Sequence, residues 1–272
     1  MDDLSKLCVH TMTTKPWGIE DCVKNFSDAG IYAITIWRNV LANKNLKDVK
    51  ILLDDHEMNV VSLCRGGFFP SVDAGKRESA IEDNLMAIEQ AAGVGAPLIV
   101  LVGGAERGQS PEKSREQITE GIQRILPAAR NAGIKLAIEP LHPMYAADRS
   151  AINTLKQAND IAEMINSEWV GVAVDVYHCW WDETLRQEIR RCAALNKLFA
   201  FHICDWNIPT TDLLNDRGLM GDGCINIQEI RGWVEDCGFK GFNEVEIFSD
   251  KYWANDQKAY LEKIKQAYLT KT

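Results

Sequence analysis

Apolar runs of five to seven residues alternate with longer amphipathic stretches along the whole chain, at 6–10, 32–37, 60–64, 98–102, 135–139, 170–175, 198–204 and 243–247. Each run is short and apolar enough to be a strand buried on both faces. The segments between them, 19–29, 46–57, 77–92, 112–131, 153–166, 182–196, 226–236 and 254–268, carry apolar residues at helical period. A strand followed by a helix, eight times over, is the count of a closed barrel, and right-handed crossovers close such a series most simply. The expected fold is therefore α/β, a single (β/α)8 TIM barrel spanning residues 1–272.

Glycines punctuate the series. Ala29-Gly30, Gly93-Val-Gly95, Ala132-Gly133 and Cys237-Gly238 stand where helices should stop and strands begin. No Pro/Ser-rich linker or charge block divides the chain. The competing architecture, a doubly wound open sheet, calls for a Gly-x-Gly-x-x-Gly turn after the first strand, and none is present. With 46% hydrophobic and 25% charged residues the chain can bury a large core. A net charge of −9 argues against a nucleic-acid partner, because binding phosphates needs a basic face. No apolar stretch approaches the roughly 18–20 residues of a membrane helix, so no membrane partner is expected. The eight cysteines (8, 22, 64, 179, 192, 204, 224 and 237) form no Cys-x-x-Cys pair, and the opening Met1-Asp-Asp-Leu-Ser-Lys6 is charged. Both features fit a cytoplasmic protein with reduced thiols.

Four runs carry at or near their ends residues unlike their interiors: Glu139, Asp175, His202 and Glu246. In a barrel the C-termini of the strands converge on one face. There the four would form a cage of three carboxylates and one imidazole. Their separations of 36, 27 and 44 residues suit successive βα units, not a local finger or loop. This donor set favours one divalent metal ion, Mn²⁺ or Mg²⁺, with Zn²⁺, Co²⁺ or Fe²⁺ as other occupants. A single acid at a strand end needs no ligand to explain it. Four such ends in succession, one a histidine, mark a metal site and an enzyme.

Further candidates surround the cage. His142 and His178 each lie three residues beyond a proposed ligand, in Glu139-Pro-Leu-His142 and Asp175-Val-Tyr-His178. Either suits a substrate hydroxyl or the orientation of a ligand, and His142 equally suits a surface loop. Asp205 offers another acid, and Arg217 is a fixed cation able to clamp a sugar oxygen or a carboxylate. Asp222, between Gly221 and Gly223, reads as a turn device or a functional group. Trp37, Arg65, Phe68-Phe69, Trp180-Trp181 and Trp206 sit at or beyond strand ends, where aromatic faces and polar groups can line a polyol pocket. His10 ends the first run, at the floor of that pocket, and His56 falls on a helix.

Ala-Ile-Glu139-Pro, Val-Asp175-Val-Tyr-His178, Phe-His202-Ile-Cys-Asp205, Gly221-Asp-Gly and Glu244-Val-Glu246-Ile-Phe together resemble the xylose-isomerase-like sugar isomerase/epimerase superfamily. The likeness is strongest from about 135 to 250, and lies nearest the ketose 3-epimerases and the inosose isomerases and dehydratases. It implies that Glu139, Asp175, His202 and Glu246 bind the metal, and that Glu139 and Glu246 serve as acid and base on opposite faces of the substrate. His178 and Arg217 would hold substrate oxygens.

The chemistry of the cage agrees. A carbonyl and a neighbouring hydroxyl polarised there become acidic at the intervening C–H, and a carboxylate can take that proton to give an enediolate. Its return to the opposite face is epimerisation, and its return to the next carbon is isomerisation. Loss of a β-substituent would make the chain a lyase or dehydratase on an inosose or 3-keto-glycoside. An endonuclease IV-like phosphodiesterase is the remote alternative, because it would need further histidines on strands 3 and 4. The expected partner is a small keto-sugar or keto-polyol. A homo-oligomer (dimer or tetramer), a partner subunit, and a non-catalytic metal-binding or scaffold barrel remain open.

Overall fold

The computed structural model describes residues 3–272; Met1 and Asp2, at the charged opening, lie outside it. Eight parallel strands close a barrel in the order β1-β8-β7-β6-β5-β4-β3-β2. They are β1 (Leu7–His10), β2 (Ala33–Trp37), β3 (Asn59–Gly67), β4 (Leu98–Val102), β5 (Lys135–Glu139), β6 (Val170–Asp175), β7 (Leu198–Ile203) and β8 (Asn243–Val245). The crossover helices are α1 (Ile19–Asp28), α2 (Leu46–Asp55), α3 (Ala74–Val94), α4 (Pro111–Asn131), α5 (Leu155–Ile165), α6 (Leu185–Ala194), α7 (Ile227–Asp236) and α8 (Gln257–Lys271).

Side-chain oxygens start most of these helices. Asn45, Asp73, Ser110, Thr154, Asn226 and Asp256 each accept a backbone N–H of the first turn. Gly95 ends α3 in a left-handed conformation that a residue with a Cβ adopts only under strain.

Some boundaries differ from the expected ones. β3 runs on to Gly67 instead of stopping at residue 64. β8 stops at Val245, so Glu246 lies one residue past it, although its N–H still donates to Ile203 O at 3.2 Å. The helix expected at 254–268 is α8, which starts at Gln257 behind its cap Asp256 and runs on to Lys271, and a separate turn at Asp250–Trp253, capped by Ser249, precedes it. The segment expected as a helix at 182–196 begins only at Leu185, and a separate turn at Val176–Cys179 precedes it. His56 caps the end of α2 and is bonded to Ser27 at 2.9 Å.

Inside and outside of the barrel divide by period two. Leu136, Ile138, Val172, Val174, Phe201 and Ile203 belong to the main apolar cluster, shared with helix residues. Ala137, Ala173 and Ala200 form a small separate cluster with Cys64, Leu98 and Val100. Burying each large side chain of the main cluster contributes about 1.5–3 kcal/mol. The three alanines do a different job. Each precedes a cage donor by two positions, so Glu139, Asp175 and His202 face inward above a floor of small side chains. Register aligns them: Asp175 pairs with His202, and His202 with Glu244.

All eight cysteines are unpaired, six of them buried. Among the described residues no helix is long and apolar enough to cross a membrane.

Candidate active site

Glu139, Asp175, His202 and Glu246 meet at the C-terminal mouth, with one ligand atom from each lying within 4.8 Å of the others. Donors about 2.0–2.1 Å from one octahedral cation stand no more than about 4.2 Å apart, so a small inward adjustment closes the set. Orphaned atoms support the fit. His202 Nδ1 is 2.9 Å from Glu139 Oε1, yet neither atom has a hydrogen-bond partner among the described residues. Close approach without alignment suits two lone pairs aimed at a shared cation. Glu139 and Glu246 reach the wall of a cavity of about 180 Å³. Asp175 and His202 are fully buried. That volume is below the roughly 300–1,000 Å³ of drug-sized pockets, which suits a small ligand.

Asp175 does two jobs. Its Oδ1 accepts the Tyr177 N–H at 2.8 Å and starts the turn Val176–Cys179, which leaves Oδ2 facing the site. That turn points His178 back at the cage, 3.6 Å from Asp175 Oδ2. The His142 N–H donates to His178 Nδ1 at 3.2 Å, and Arg217 Nη2 lies 3.3 Å from His178 Nε2. Burial, reinforced by the charge on Arg217, holds His178 well below the usual histidine range, and the neutral form is the resident one.

Arg217 Nη1 bridges two cage acids, at 2.8 Å from Glu246 Oε2 and 3.2 Å from Asp175 Oδ2. Its guanidinium is held between the rings of Tyr177 and Phe248. Burial, the largest influence on Glu246, works to raise it, but Arg217 and His10 outweigh burial and hold the carboxyl well below its usual range. Asp175 moves the other way. Burial pushes it up to about 7, with Glu246 and Glu139 adding to the rise and Arg217 opposing it.

A second polar layer lies beneath the cage, and sequence reasoning assigned its central acid no role. Glu244 is buried, accepts from Thr35 Oγ1 at 2.5 Å and Ser62 Oγ at 3.1 Å, and lies 3.3 Å from His10 Nε2. It also faces His202 Nε2 at 3.7 Å, while His10 Nδ1 reaches Glu246 Oε1 at 3.1 Å. Burial, the largest influence, opposes a charge on His10, but Glu246 and Glu244 push it up to about 9. His202 likewise rises to about 10, where Glu244 and Glu139 overcome burial. The signal was available in Glu244-Val-Glu246, since residues two apart on a strand share a face. His10, expected at the floor of the pocket, belongs to this layer beneath the cage and is not among the residues lining the cavity.

The other expected substrate contacts divide. Trp37 and Arg65 line the cavity, joined by Phe68, Tyr145, Arg149 and Phe248. Arg65 is set by the end of β3, where Asn84 clamps Gly67 with bonds of 2.7 and 2.8 Å. A Cβ on Gly67 would lie 1.8 Å from Val102 O, at a φ of +106°.

Asp205, expected as a substrate contact, is a loop organiser instead. Its two oxygens accept the N–H groups of Trp206, Gly221, Gly223 and Ile225 at 2.8–2.9 Å. Asp222 accepts from the Tyr252 hydroxyl at 2.8 Å and is not among the residues lining the cavity. His142, also expected at the substrate, lies outside the cavity lining. Its Nδ1 accepts the Met144 N–H, and its ring packs on Trp181 and Trp206. Trp180 and Trp206 pack on each other, and Phe69 is buried against Gly121. None of these aromatics faces the cavity.

Residues 23–270 match the family model described as xylose isomerase-like TIM barrel. The chain is 24% identical over 258 residues to an inosose isomerase of Halalkalibacterium halodurans, covering 91% of this chain and 89% of the relative. Its structure superimposes on that of protein SMc04130 from Sinorhizobium meliloti 1021 with a TM-score of 0.96, at 43% identity and 99% coverage of both chains. The IOLI protein, solved with a zinc atom bound, gives a TM-score of 0.86 at 21% identity, over 97% of this chain and 96% of that one. With its closed eight-stranded barrel, the chain belongs to the xylose isomerase-like TIM barrel family.

Proposed function

We propose that the chain is a divalent-metal-dependent sugar isomerase or epimerase acting on a ketose or keto-polyol through an enediolate. The observation that carries this reading is the convergence of three carboxylates and one imidazole on a small cavity walled by Glu139 and Glu246. The similarity to inosose isomerase supports the reaction class, and the zinc of the IOLI protein supports a single divalent ion. The oxygen-rich donor set favours Mn²⁺ or Mg²⁺.

Glu139, Asp175, His202 and Glu246 would hold the ion, which when bound supplies Lewis acidity that makes the C–H beside a carbonyl easier to ionise. Glu246 is the stronger candidate base, because Arg217 and His10 keep its carboxyl ionised. Glu139, which also lines the cavity, would deliver or receive the second proton. His178 and Arg217 both line the cavity and would hold substrate oxygens; Arg217 Nη1 also bridges Asp175 and Glu246, and its Nη2 lies 3.3 Å from His178 Nε2. Aromatic walls at Trp37 and Phe248 limit water at the reacting carbon.

The test is solvent-deuterium uptake by ketohexoses, inososes and 3-keto-glycosides with metal-loaded protein in D₂O, followed by NMR. Exchange without elimination supports an isomerase or epimerase, and elimination transfers the chain to the lyases. No exchange with any of the three classes overturns the proposal.

A further inference from the structure

We infer that the substrate carries an anionic group, a carboxylate or a phosphate, at the end remote from the cage, and that Arg65 and Arg149 receive it. The inference deepens the proposed function and rests on it for the orientation of the substrate. Both guanidiniums line the same cavity as Glu139 and Glu246. Both are presented by rings, with Arg65 over Phe68 at 3.9 Å and Arg149 over Tyr145 at 5.5 Å. The Arg149 N–H is tied to Tyr145 O at 3.0 Å, and β3 fixes the backbone of Arg65.

Neither guanidinium has an ion pair or a side-chain hydrogen bond among the described residues. Nearby acids are engaged elsewhere. Asp83 is held by Arg38 in two bonds of 2.8 Å, and Asp148 faces Arg107 at 4.0 Å. Arginine is weakly hydrated and forked, and it is found half-buried without a partner chiefly where an oxyanion completes it. The two are also close enough to repel. Burial lowers Arg65 from its usual range, and the charge of Arg149 is the next cause.

The cage leaves no charge to answer them. A divalent ion together with Arg217 would balance the three carboxylates, and the charges of Arg65 and Arg149 would then remain unanswered in the cavity. A neutral hydroxyl can accept from either arginine but does not relieve their repulsion, whereas an oxyanion does both.

The test uses one ketose in three forms: D-fructose, D-fructuronate and D-fructose 6-phosphate, which differ only at the far carbon. Binding to the Mn²⁺-loaded protein is measured by calorimetry, beside deuterium exchange in the same samples. At least one anionic form should bind tighter than D-fructose by roughly tenfold or more. Either Arg65→Gln or Arg149→Gln should cut that preference by a similar factor, and added salt should reduce it. The stronger of the two anions distinguishes carboxylate from phosphate. Equal or weaker binding of both anions, or a preference that survives both substitutions, overturns the inference. Exchange without anion preference sinks the inference alone. Anion preference without exchange in any sugar upholds the arginine site and sinks the enediolate reading.

Discussion

Exchanging Glu244 for glutamine keeps the side-chain shape and an oxygen for Thr35 and Ser62 but removes the charge that faces His10 and His202. The size of the effect follows from His10, whose pKa rises from 6.5 to about 9 in the folded chain. That rise corresponds to roughly 3.4 kcal/mol at about 1.36 kcal/mol per pH unit. Because Glu246 supports His10 as well, loss of Glu244 alone should forfeit about 2 kcal/mol of it. His202, raised to about 10 partly by Glu244, adds in the same direction.

The folded pKa of His10 lies above the unfolded one, so the stabilisation is fully present below about pH 6.5 and disappears as pH rises through about 9. Thermal melts of metal-free wild type and Glu244→Gln should therefore differ by about 4–8 °C near pH 6. The gap should narrow markedly near pH 10. Combining Glu244→Gln with His10→Gln should recover part of the loss, since removing both members of a buried pair costs less than stranding one. A gap that stays constant with pH would show that Glu244 acts through shape alone. No gap near pH 6 would refute the ion-pair argument altogether.

Other outcomes follow from the same geometry. Glu246→Gln should lower kcat by about 10²–10⁴ while the protein still melts cooperatively, and near-normal turnover would remove Glu246 from proton transfer. Asp205→Ala strands four backbone N–H groups and should lower stability by more than about 3 kcal/mol, with hydrogen exchange accelerating first at 218–225. Unchanged exchange there would contradict its role as loop organiser. Chelation should abolish activity, and Mn²⁺ should restore it with release of protons near pH 7, because metal ligation must displace the proton on His202. Calorimetric heats that do not vary with the buffer's ionisation enthalpy would argue against that displacement.

The parts of the site built into strands were legible because a strand imposes a fixed alternation. Once Ala137, Ala173 and Ala200 are inward, Glu139, Asp175 and His202 must be inward too, and only the closure of the barrel is needed to gather them. Glu244 obeys the same rule, but the apolar character expected of a barrel interior hid it. Loop residues carry no such periodicity. Asp205 looks the same in sequence whether its oxygens take four amides or a substrate. Trp180 and Trp206 could face a sugar or one another, and only the hairpin of Asp205–Trp206 with Arg217–Gly218 decides it. That hairpin also delivers Arg217 to the cage, from fifteen residues beyond His202 in sequence.

The alanine floor beneath the donors has a consequence for how such a chain can diversify. Because strand register sets the cage, its dimensions can change only if the whole sheet shifts. Arg149 belongs to the segment that leaves β5 and takes no part in strand pairing, whereas Arg65 lies within β3, between Cys64 and Gly66, which both pair with β4. Of the two arginines, one is therefore tied to the frame and the other to a loop that can vary independently of it. Enlarging a floor residue such as Ala173 would press on the donors above it and is expected to shift the register that aligns them.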